Sequence, residues 1–105
     1  MANTTTQRGN IIEVSTIATD WDWEDASGIP PNGIFLQSIS FVAGSNNDVV
    51  VIKEGSDSGP IIAQLKSTTA GVMVDVLLDG LQCRPVIDFS ACTLNAGHKV
   101  IFRMV

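Results

Sequence analysis

The chain has 105 residues, 45% of them hydrophobic and only 16% charged, with a net charge of −5 and a mean hydropathy of +0.27. That length argues for one domain with one modest core. Six Lys plus Arg, scattered along the chain, exclude a basic footprint for nucleic acid or a polybasic patch for anionic lipid, and no apolar run approaches the roughly 20 residues that span a bilayer.

Residues 1–9, "MANTTTQRG", are polar and are expected to form a flexible N-terminal arm without an apolar leader core. The rest, 10–105, is expected to be a single all-β domain. In "NIIEVSTIAT" the apolar parity changes: Ile12 and Val14 share one face, Ile17, Trp21 and Trp23 the other, so a bulge is expected near Ser15 or Thr16. "SGIPPNG" stops any helix or central strand. In "IFLQSISFVA", Phe35, Ile39 and Phe41 share one face, with Gln37 among them, and Ser38 and Ser40 share the other. "DVVVIKE" and "IIAQLKS" follow, bounded by "GSNN" and "GSDSGP". "GVMVDVLL" sets Val72, Val74, Val76 and Leu78 against Met73, Asp75 and Leu77, and "DGL" signals a turn. "QCRPVIDFSA" is expected to point Ile87 and Phe89 inward, Arg84 and Asp88 outward. "VIFRMV" aligns Val100, Phe102 and Met104. Regular strands between turn signals predict an antiparallel β-sandwich or jelly roll of about 7–8 short strands. Several strands are apolar on both faces, which calls for cover on the outer side, most simply by another copy of the chain.

The chemistry-bearing residues are few. His98 is the single histidine, follows "NAG", and is expected to be a solvated turn residue; no G-x-S-x-G elbow accompanies it. Cys83 and Cys92 form no C-x-x-C pair and are read as free thiols, although a disulfide stays open if residues 83–92 form a hairpin. Two cysteines do not make a secreted disulfide framework, so synthesis in a reducing cytoplasm is expected. "DWDWED" offers Asp20, Asp22 and Glu24 as cation ligands, but Asp25 stands where an EF-hand needs glycine and Pro31 where it needs glutamate. An EF-hand is excluded, and an irregular calcium site stays open. The i, i+2 spacing of Trp21 and Trp23 puts both rings on one face of a strand. They are expected to anchor an intersubunit or capsid contact, with stacking on sugar rings as the alternative. Asp20, Asp22 and Glu24 are expected to face solvent. No residue is assigned to catalysis, a cofactor or a resident metal.

"NDVVVIKEGSDSGPIIAQLKS", "LLDGLQCRPVIDFSA" and the closing "GHKVIFRMV" resemble small bacteriophage virion proteins, such as head decoration (cement) proteins, over residues 34–105. The shared pattern is a strand opening on Asp, a turn ending in Gly-Pro, an "xDGLxC" turn and a last strand. The resemblance implies a non-enzymatic β-sandwich in the virion that forms a homo-oligomer, often a trimer, and binds a capsid or tail protein. From the charge and hydropathy above, no nucleic-acid or membrane partner is expected. The runner-up function is a carbohydrate-binding module using Trp21 and Trp23.

Overall fold

The computed structural model describes residues 3–25 and 33–105. Among them are nine strands: β1 (Thr4–Arg8), β2 (Ile11–Ser15), β3 (Trp21–Asp22), β4 (Ile34–Val42), β5 (Asp48–Glu54), β6 (Ile61–Ser67), β7 (Met73–Cys83), β8 (Pro85–Ile87) and β9 (Lys99–Met104). Two short 3₁₀ turns, Trp23–Asp25 and Phe89–Ala91, complete the described elements. The strands form a five-stranded sheet, β1-β2-β9-β4-β7, and a four-stranded sheet, β3-β8-β5-β6. Every ladder is antiparallel. The all-β sandwich expected from the strand and turn pattern is the observed architecture.

The core lies between the sheets. Ile12, Val14, Leu36, Ile39, Phe41, Val100 and Phe102 point in from one sheet, Trp21, Val50, Ile52 and Ile87 from the other. Each such side chain contributes about 1.5–3 kcal/mol through its removal from water. Trp21 stacks on Phe102 with ring centroids 5.0 Å apart and planes 13° from parallel.

Local departures from the sequence reading have identifiable causes. Thr4–Arg8 is not a free arm: it pairs with β2 from Thr4↔Ser15 to Arg8↔Ile11. Gly9 has φ +56° at the first centre of the two-residue turn, where a hairpin needs a left-handed residue. The parity change after Val14 is a crossover rather than a bulge. β2 ends at Ser15, Thr16 adopts φ +53°, and the chain passes to the other sheet. In β4 the register slips at Gln37, between Leu36 and Ser38. Leu36 therefore points inward with Ile39 and Phe41, and Phe35, which simple alternation puts on their face, is 54% exposed.

The "DGL" turn is also absent. β7 runs through it from Met73 to Cys83, and Asp79 (φ +50°) and Gly80 (φ +82°) form an irregularity within the strand, where Ser38 pairs with Leu77 but Leu36 with Leu81. A left-handed Asp-Gly pair serves a bulge as well as a hairpin. The "GIPPNG" turn falls on residues 28–33, of which only Gly33 is described.

Candidate functional site

The acidic ridge of the sequence resolves into side chains with different tasks. Asp22 accepts the backbone N–H of Glu24 at 2.8 Å, which starts the 3₁₀ turn at Trp23 and ends β3 after two residues. The extended geometry behind the i, i+2 argument therefore does not continue through Trp23. Glu24 is exposed, and the side chain of Asp25 lies outside the described residues. Asp20 turns toward the end of β8, where its Oδ1 accepts the N–H of Phe89 at 2.8 Å.

There Asp20 meets two carboxylates that no sequence spacing connects to it. Oxygens of Asp20, Asp57 and Asp88 lie within 4.8 Å of one another. All-oxygen donors suit a hard cation such as calcium. The cluster already contains a cation of its own, however. Lys53 Nζ lies 2.7 Å from Asp88 Oδ2 and donates to the carbonyl oxygen of Asp57 at 3.0 Å. The Lys53 hydrogen bond, reinforced by Ser90, holds the buried Asp88 carboxyl below its usual pKa. Burial, together with the neighbouring Asp57 and Asp88, pushes that of Asp20 up. The outward place expected for Asp88 is thus an inward ion pair, and Phe89, expected inward, is on the surface.

Neither tryptophan offers an open ring. Trp21 is fully buried and Trp23 is buried, and Trp21 Nε1 donates to Thr5 Oγ1 at 3.0 Å. The pair expected to anchor a neighbour, or to stack on sugar, is packed inside its own subunit. β1, the supposed arm, supplies the hydrogen-bond partner.

His98 is buried as well, not solvated. Its Nε2 accepts the backbone N–H of Ile17 at 2.8 Å, so its Nδ1 carries the proton and donates to the Asn95 carbonyl at 2.7 Å. With both ring nitrogens engaged, the imidazole serves as a latch between the β2–β3 crossover and the loop before β9. Cys83 and Cys92 are free, and residues 83–92 are β8 and a 3₁₀ turn rather than a hairpin. Burial, with Glu54 nearby, pushes the Cys83 thiol up to about 12, and burial also raises that of Cys92. At neutral pH both are protonated and poor nucleophiles.

The strongest polar node is Asp48, fully buried at the start of β5. Its Oδ2 accepts the N–H groups of Gly44, Ser45 and Asn95 at 3.1, 3.1 and 3.0 Å, and its Oδ1 accepts Asn95 Nδ2 at 2.6 Å. Gly44 permits this closure, because a Cβ there would collide with the backbone of Asn95 and Ala96. Burial alone would raise the Asp48 pKa; the hydrogen bonds from Asn95, Ser45 and Gly44 outweigh it and hold the carboxyl below its usual value.

The remaining unusual feature is an edge. β1, at one side of the larger sheet, shows Thr, Gln and Arg to solvent. β7, at the other side, exposes Met73, Leu77 and Leu81, with Leu77 71% exposed. Its inward residues Val74, Val76 and Leu78 pack on the core yet are only half-buried. The two-faced apolar character of β5 has a different origin, since Val51 is covered by its own chain: its N–H meets Cys92 Sγ at 3.3 Å, and Asp88 donates its N–H to the Val51 carbonyl. Comparison of the chain with protein-family models, curated proteins and solved structures finds no match.

Proposed function

We propose that this chain is a non-enzymatic structural protein, a small component of a bacteriophage particle that associates with its own kind and seats on a capsid or tail surface. The observation that carries the assembly role is the β7 edge: a long strand with an open ladder side that exposes Met73, Leu77 and Leu81. The surface charges fit a scaffold better than a reactive or nucleic-acid site. Lys53, Arg84, Lys99 and Arg103 are each committed to an acidic partner, Asp88, Glu54, Glu13 and Asp75 respectively. The assignment to a phage particle rests on the resemblance over residues 34–105. The carbohydrate alternative lacks a platform, because both indole rings are inside.

The test is composition. Particles purified on a density gradient from cells expressing this chain with its neighbouring genes should contain it in fixed stoichiometry by mass spectrometry. A chain that stays in the soluble fraction while particles form without it would overturn the proposal.

A further inference from the structure

The geometry points to a second copy of this chain as the occupant of the β7 edge, paired antiparallel about a two-fold axis at Val76 to join two five-stranded sheets into one of ten strands. This rests on the assembly reading above and names its contact. β4 takes one side of β7 along Met73–Cys83, and no strand forms a ladder on the other among the described residues. β6 approaches from the facing sheet without pairing with it. Val74, Val76 and Leu78 pack on the core from this strand yet stay half-covered, three in a row on one face. By contrast β1 is polar, β3 has two residues, and β6 exposes Ile61 at its start but Gln64 and Lys66 along the rest of its outer face.

The register follows from symmetry and charge. A two-fold axis perpendicular to the sheet keeps outer face beside outer face, so opposed residues have the same parity. The Asp79–Gly80 bulge ends the regular strand, leaving Met73–Leu78. Two registers overlap five of these residues. One centres on Asp75 and sets Asp75 against Asp75 of the other copy. The other centres on Val76 and sets Asp75 against Leu77 and Val74 against Leu78. Like charges directly opposite are unfavourable, so the second register wins. Asp75 can approach the contact because its charge is met within its own chain: it accepts the Ser40 hydroxyl and faces Arg103 Nη1 at 3.9 Å. The same bulge, with the polar β1 at the far side of each sheet, stops the assembly at ten strands rather than letting it grow as a fibre. An isologous contact closes at two copies, not at the three that the phage resemblance implies.

Light scattering at micromolar concentration is expected to give a dimer, twice the chain's 11.2 kDa. Leu77→Asp puts a carboxylate opposite Asp75 twice per dimer and should raise the dissociation constant at least about tenfold. The exposed position of Leu77 leaves the fold intact, with an unchanged circular dichroism spectrum. Val76→Cys should form an intermolecular disulfide under mild oxidation, since directly opposed Cα atoms lie within disulfide reach, while Asp75→Cys should cross-link much less. The wild-type chain under the same oxidation controls for the native thiols. A monomer, an oligomer indifferent to Leu77→Asp, or preferential cross-linking through Asp75→Cys would overturn the inference. Any of these results, obtained with the chain still present in purified particles, would leave the assembly reading in place.

Discussion

Asp48→Ala is expected to remove about 3–5 kcal/mol of folding stability, because it strips a buried, charge-assisted network of its acceptor. Three backbone N–H groups, from Gly44, Ser45 and Asn95, would lose the oxygen they share, in a place water does not reach. A domain of this size has only about 5–15 kcal/mol in total. Urea unfolding of the variant should show the loss as a lower midpoint with an unchanged slope. Asp48→Asn keeps one acceptor oxygen and should cost less. The same carboxylate makes the fold acid-sensitive. Its folded pKa lies below the ordinary 3.8, so its stabilisation is present above about pH 4 and is lost as pH falls through the folded value. Asp88 acts in the same direction through Lys53. Asp20 acts oppositely: its folded pKa is raised, so its contribution is full below 3.8 and lost as pH rises through the folded value. Stability should therefore fall with acid below about pH 4, less steeply in Asp48→Asn. An Asp48→Ala chain as stable as the parent, or an Asp48→Asn profile parallel to it, would contradict the role given to this residue.

Trp21→Ala should cost a further class of contact, about 3–5 kcal/mol, in the isolated subunit and without reference to any partner. The indole is fully buried, stacks on Phe102 and ties β1 down through Thr5. Truncation leaves a large cavity between the sheets and releases the first strand. Trp21→Phe retains the stack but not the hydrogen bond, and should lose less. The discriminating comparison is thermal melting of dilute subunit beside self-association. A core tryptophan lowers the melting temperature of the dilute chain; an anchor for a neighbour leaves it unchanged and weakens only association.

Strand identity was legible where turn residues bracket apolar alternation. β5, β6 and β9 lie where "DVVVIKE", "IIAQLKS" and "VIFRMV" place them, and Val100 and Phe102 are inward as their parity requires. Failures arose where one residue changes the geometry that parity assumes. Gln37 slips the β4 register and turns Phe35 outward; Asp79–Gly80 bulges a strand that the same two residues would have ended in a hairpin. Trp23 leaves the extended path because Asp22 caps a 3₁₀ turn. Thr4–Arg8 looked like an arm because a polar edge strand has no apolar face to announce it. The polar nodes were illegible for a simpler reason. Asp48 with Asn95, His98 with Ile17, and Lys53 with Asp88 are brought together only by tertiary folding. The apolar β7 was visible as a two-faced strand, but only the sheet order distinguishes it from β5, whose second face its own chain covers.

Amide hydrogen exchange along Val74–Leu78, followed over a dilution series, tests the β7 contact most directly. The outward-facing amides of this segment are expected to be protected at high concentration and to lose that protection on dilution, while Ile39 and Phe102 in the sheet interior stay unchanged. Fast exchange of the β7 edge at every concentration would contradict the account.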